Sequence, residues 1–148
     1  MVHHELAILT FVFRLATAAL LGCAIGFERQ WRQRSAGLHT SGLVATGSAL
    51  FSLIQPALGL AGGDRVIANI VTGVGFLAGG VILRDGANVS GLNTAATIWA
   101  TAAVGALAGI GLYREALVST LVVIMLNLFL LPLVAKIDER KQHRHSES

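Results

Sequence analysis

The chain has 148 residues, of which 54% are hydrophobic and only 13% charged, with 17 glycines, two prolines and a mean hydropathy of +0.70. A water-soluble domain carries about a quarter charged residues, so this deficit excludes an ordinary soluble globular domain and points to a lipid-embedded, all-α chain. The formal charge of +3 sits beside apolar runs rather than in a separate basic domain, which argues against nucleic acid as a partner.

A membrane-crossing helix needs about 20 mostly apolar residues. Five stretches meet that length, at about 6–26, 38–58, 66–83, 92–112 and 116–135, so the sequence predicts a bundle of about five transmembrane helices forming one domain over 1–135. The first stretch contains "LLGC", which looks like a lipoprotein cleavage box, but the leading "MVHHEL" has no lysine or arginine, so the stretch is read as a span. Segment 136–148 is polar and without an apolar pattern, and reads as a frayed cytoplasmic tail. His143 and His145 there, like His3 and His4, have poor spacing for a metal, and the single cysteine, Cys23, permits neither a disulfide within the chain nor a cysteine cluster.

Orientation follows from where lysine and arginine fall in the short loops. With the N-terminus periplasmic and the C-terminus cytoplasmic, Arg29, Arg32, Arg34, Arg84, Lys136, Arg140, Lys141 and Arg144 lie inside, against Arg65 and Arg114 outside. Arg14 falls about 12 Å into the first span, at 1.5 Å per residue, and must either snorkel outward or pair with Asp64, Glu115 or a helix-end carbonyl.

Gly73, Gly75, Gly79 and Gly80 crowd the third span, and the pairs Gly22/Gly26, Gly75/Gly79 and Gly105/Gly109 have the G-x-x-x-G spacing. Glycine-mediated helix packing is the predicted role, because lipid supplies little hydrophobic drive between helices and close backbone approach replaces it. The string "VGFLAGGVILR" from Val74 is echoed by "VGALAGIGLYR" from Val104, in the manner of a duplicated transporter unit.

No H-E-x-x-H, G-x-S-x-G, phosphate loop or cysteine–histidine pair is present, so neither a catalytic site, a cofactor nor a metal site is predicted. The eight acidic residues all fall at span ends or outside them, which leaves an ion-coupled pump without a mid-membrane carboxylate. Glu28 and Asp85 on one side, and Asp64 on the other, are the carboxylates a hydrated magnesium ion would meet. Asn93, Thr97 and Thr101 recur at i, i+4 and i+8, with Thr94 and Trp99 nearby. Such a stripe either bonds neighbouring helices or lines a small polar cavity with Arg84 and Asp85 at its mouth.

The stretches "GFERQWRQRSAGLHT" (26–40), "TGVGFLAGG" (72–80) and "GLNTAATIW" (91–99) resemble the MgtC/SapB family of bacterial inner-membrane proteins, over about residues 14–133. The resemblance marks Glu28, Arg29, Arg32, Arg34, Ala36, Gly37, Leu38 and Thr40, then Gly73, Gly75, Phe76, Gly80, Arg84, Gly91, Asn93, Thr94, Ala95, Ala96, Thr97 and Trp99. It implies a role in growth under magnesium limitation or stress and in virulence, through contact with a membrane protein such as the F1Fo ATP synthase rather than through magnesium transport. Family members often have arginine where this chain has His39 and cysteine where it has Ala100, and virulence-type members continue into an ACT-like cytoplasmic domain. The expected protein is therefore the membrane half alone, with the lipid bilayer, a membrane-protein partner and copies of itself as associates. The competing expectation is an oligomeric small transporter or channel subunit gated by Glu28, Arg84, Asp85 and Asn93. Positive-inside anchoring explains the arginines of the first loop, but not the fixed order Gly26, Glu28, Arg29, Arg32, Arg34, Gly37.

Overall fold

Residues 2–31 hold no proline and no glycine before Gly22, and they form one unbroken helix, α1 (Val2–Trp31). The computed structural model describes residues 2–57, 63–86 and 88–146. Helix α1 is followed by α2 (Leu38–Ala57), α3 (Gly63–Gly79), a hairpin of β1 (Leu83–Asp85) and β2 (Asn88–Ser90), then α4 (Leu92–Gly109) and α5 (Tyr113–Ser146). The two strands are antiparallel, with Leu83 opposite Ser90 and Asp85 opposite Asn88.

Helices α1, α2 and α4 pack together at the centre; α3 lies against α2 and α4, and α5 against α1 and α4. The central contact is backbone on backbone. Ala45 of α2 is fully buried. A Cβ at Gly22 of α1 would stand 2.6 Å from the Ala45 Cβ, and one at Gly105 of α4 would overlap the Ala45 backbone from the other side. One turn further along, a Cβ at Gly26 would lie 2.6 Å from the Leu38 Cα, and one at Gly109 would lie 2.8 Å from the Ala49 Cα. Small residues at these positions let three helices approach to a distance that larger side chains forbid. The buried residues Ala18, Ile25, Ala49, Val104 and Ala108 complete this core.

Three helical segments are long and apolar enough to cross a membrane, Ala7–Trp31, Leu92–Gly109 and Tyr113–Leu130, while Leu38–Ile54 is a shorter apolar helix. Five predicted spans are thus five helices, with α3 too short at 17 residues to meet the same length. The predicted 66–83 span stops at Gly79 because the chain turns into the β1–β2 hairpin, a strand pair that an all-α reading does not contain. The tail also departs from expectation. Residues 136–146 continue α5 rather than fraying, since nothing in that segment, neither proline nor glycine, breaks the helix. The end of the second predicted span, residue 58, lies outside the described residues.

The third-span glycines depart as well. No heavy atom of the described residues lies within 4 Å of a Cβ built at Gly73, Gly75 or Gly79, and Gly80 meets only Leu77 and Phe76 carbonyls of its own helix. Among the described residues these glycines make no close helix contact: α3 is buried along Val66, Ile70, Val74 and Ala78, Gly75 and Gly79 lie on other sides of the helix, and Gly73, on the Val66 side, faces a gap between α3 and α2. The echo between Val74 and Val104 therefore stops at sequence: Gly105 and Gly109 are buried against α2, and Gly75 and Gly79 are open.

Candidate functional site

Helix α1 ends in a turn whose bonds run from Arg34 N–H to Arg29 C=O (3.0 Å) and from Gln33 N–H to Gln30 C=O (3.0 Å). This is the Schellman pattern, and it places Gln33 in the left-handed region at φ 55°, where glycine is the usual residue. Gly111 fills the same position after α4, at φ 89°, with the matching bonds from Leu112 to Leu107 and from Gly111 to Ala108. Ala36 is left-handed too, at φ 58°, so two non-glycine residues within four positions hold a conformation that costs about 1–2 kcal/mol each.

Arg29 is what holds that turn. Its side chain is 1% exposed, the largest fully buried side chain in the described protein. Its Nε donates to the Ser35 carbonyl at 3.3 Å, and its Nη2 to the same oxygen at 2.8 Å and to Thr94 Oγ1 at 2.6 Å. One guanidinium thus ties the end of α1 to the strained turn and to the first turn of α4, using the forked donors that lysine lacks. Gln30 secures the next step. Its Oε1 accepts the Leu38 N–H at 3.1 Å, capping α2, and a Cβ at Gly37 would stand 2.8 Å from that oxygen.

Glu28 and Arg29 therefore lie on the last turn of α1 rather than in a loop, because the helix runs five residues past the predicted end at 26. The Glu28 side chain is 9% exposed and pairs with Arg32 Nε at 3.2 Å, one turn on. Neither Glu28 oxygen takes a hydrogen bond, and Arg29 Nη1 has no acceptor, so the corner carries buried polar atoms with capacity to spare. Arg32, Gln33, Arg34 and Ser35 are exposed, as is Thr40 on the first turn of α2, and Trp31 is 80% exposed beside them.

The polar stripe of α4 divides. Thr94 serves Arg29. Thr97 and Thr101 return their hydroxyl hydrogens to the carbonyls of Asn93 (2.9 Å) and Thr97 (2.8 Å), and Thr97 Oγ1 lies 3.4 Å from the Asn127 amide of α5. Asn93 is exposed and Trp99 is 49% exposed. Arg84 and Asp85 are exposed on β1, where Arg84 Nε donates to Gly86 C=O at 3.1 Å; no hydrogen bond or ion pair among the described residues joins them to Glu28 or Asn93. The hairpin turns Arg84 and Asp85 outward, Thr94 turns to Arg29, and Thr97 and Thr101 bond carbonyls of their own helix, so no hydrogen bond among the described residues links the pair to the stripe. No three His, Cys, Asp or Glu side chains among the described residues converge on a common point.

On the opposite side, Arg14 settles on a helix-end carbonyl: its Nη1 donates to Gly109 C=O at 3.0 Å, at the negative end of α4. Phe13 packs edge-on against Tyr113 beside it, with centroids 5.2 Å apart.

Ser35, Gln30, Gln33, Asn127 and the Gly109 carbonyl are the participants that sequence reasoning missed. Asn127 alone had a signal, as an isolated amide within the apolar run of α5. The others act through backbone groups or local geometry, which residue type does not announce.

Long apolar helices joined backbone to backbone, with Arg29, the one fully buried charged residue among those described, on the last turn of its helix, define a helical membrane protein rather than a soluble bundle. Residues 15–136 match the sequence model of the MgtC family, and the chain belongs to that family. It is 46% identical over 129 residues to protein MgtC of Salmonella typhimurium, covering 87% of this chain and 56% of that protein. Protein MgtC of Brucella abortus is 50% identical over 134 residues, covering 88% and 55%, and an uncharacterized protein of Synechocystis is 49% identical over 133 residues, covering 89% and 57%. The chain thus spans little more than half the length of these relatives. No solved structure matches it.

Proposed function

We propose that this chain is a multi-pass protein of the bacterial inner membrane that acts during magnesium limitation or stress by contact with another membrane protein, not by catalysis or ion transport. The observation that carries this reading is the α1–α2 turn. Two left-handed non-glycine residues and four exposed polar side chains are held in one shape by the buried Arg29, which is the construction of a presented recognition surface. Surface anchoring needs only the charge of Arg32 and Arg34; it needs neither the Arg29 clamp nor the strained backbone. The F1Fo ATP synthase is the first partner to test, on the family resemblance.

The experiment scrambles residues 32–35 at constant charge, leaving Glu28 and Arg29 in place, and captures the tagged chain from native membranes at low and high magnesium. The expected result is unchanged insertion with loss of the captured partner and of growth at low magnesium. Retained capture and growth would reduce the turn to a topological anchor, and magnesium flux in liposomes abolished by Glu28→Gln would replace the contact reading with a transporter.

A further inference from the structure

Between α2 and α3 runs an apolar groove of about 680 Å³, walled by Leu43, Phe51, Ile54, Ile70 and Leu77. Its openness comes from glycine. Gly47 and Gly73 line it, and no heavy atom of the described residues lies within 4 Å of a Cβ built at either, in contrast to the glycines of the α1–α2–α4 centre. On the α3 side the lining runs from Val66 to Leu77, eleven steps of 1.5 Å or about 16 Å, which matches half the hydrocarbon thickness of a bilayer at about 15 Å.

The exposed polar groups stand at one end; the only other polar lining residue, Ser48 of α2, is 3% exposed. Asn69, the one amide of the lining, is exposed and takes no hydrogen bond among the described residues. Arg65, exposed and without an ion pair among them, lies one turn nearer the start of α3 on the same face. Its neighbour Asp64 lies about 100° round the helix, in the first turn, where the helix N-terminus favours a carboxylate. The order along the groove is thus cation, amide donor, then about 11 Å of hydrocarbon wall from 70 to 77. A phospholipid has the complementary order of phosphate, ester carbonyl and acyl chain.

We propose that the α2–α3 groove is a binding site for one phospholipid: an acyl chain lies along Gly47 and Gly73, the Asn69 amide donates to an ester carbonyl, and Arg65 holds the phosphate. An unpaired amide facing hydrocarbon is costly, and a second helix laid in the groove would leave Arg65 without an anion; the lipid satisfies both groups at once. The inference rests on α2 and α3 lying in the bilayer and is independent of the partner contact proposed above.

Native mass spectrometry of the chain released from mild detergent counts retained phospholipid. The expected result is one bound lipid per chain, with retention falling about tenfold in Gly73→Leu and in Leu77→Trp, which fill the groove from two different positions, and several-fold in Arg65→Gln. Phe76→Leu, on an 84% exposed side chain outside the groove, leaves retention unchanged. Thermal unfolding of each variant separates a filled groove from a damaged fold. Equal retention in folded Gly73→Leu and Leu77→Trp would overturn the proposal, as would disulfide crosslinking between copies through Leu77→Cys in a Cys23→Ala background, which would place a second chain in the groove. Free reaction of that same Leu77→Cys with a membrane-impermeant maleimide would instead show that α2 and α3 lie outside the bilayer.

Discussion

Arg29 has more to hold than its charge. It bonds a carbonyl six residues ahead and a hydroxyl 65 residues away, and both acceptors are neutral, so the guanidinium acts as a geometric fork rather than as half of an ion pair. Lysine carries its three N–H donors on one nitrogen and cannot reproduce the planar fork, so Arg29→Lys loses at least one of these bonds and costs about 1.5–3 kcal/mol, the range for hydrogen bonds to charged groups. Thr94→Val removes the other end of the longest link. The two substitutions are therefore expected to be non-additive by about 0.5–3 kcal/mol in a double-mutant cycle of unfolding in detergent, and additivity would show that the Arg29–Thr94 bond carries no coupling. Arg29 itself was visible in the sequence as part of an ordered motif. Its acceptors were not, because Ser35 contributes only a backbone oxygen and Thr94 belonged to a stripe whose members look alike until helix packing separates them.

At the scale of elements, two G-x-x-x-G segments of nearly the same sequence meet opposite surroundings. A methyl at Gly105 enters the Ala45 backbone; a methyl at Gly75 enters open space. Gly105→Ala is therefore expected to lower the unfolding temperature, since overpacking of about 1–3 kcal/mol outweighs the helix-propensity gain of up to about 1 kcal/mol. Gly75→Ala keeps the propensity gain without the clash, so thermal unfolding in mild detergent is expected to move in the opposite direction. A drop of similar size in both would mean that Gly75 is packed after all, against another molecule. The helices themselves were legible, since their apolar runs and the absence of internal breakers dictate them. Their ends were less so: α1 outlasts its apolar stretch because Glu28, Arg29 and Gln30 are good helix formers stabilised by the turn beyond, and α3 ends early because the hairpin begins.

For the whole molecule, the lysine and arginine bias predicts a periplasmic N-terminus and a cytoplasmic C-terminus, as five crossings require. Reporter fusions at the two ends are expected to give opposite signals; like signals would mean an even number of crossings and would remove α3 from the set, as its 17 residues are the shortest of the five helices. By itself the sequence determined the solvent, the helical class, the family and the order of the motifs, because these follow from composition, local periodicity and identity, which need no partner elsewhere in the chain. Only the tertiary structure decided which glycines are buried and which line a groove, which threonine meets Arg29, and that Arg14 ends on the α4 carbonyl rather than on Asp64 or Glu115. Those are contacts between helices, and in lipid, where every face is equally apolar, hydropathy does not say which face turns inward; the fit of backbone against backbone does.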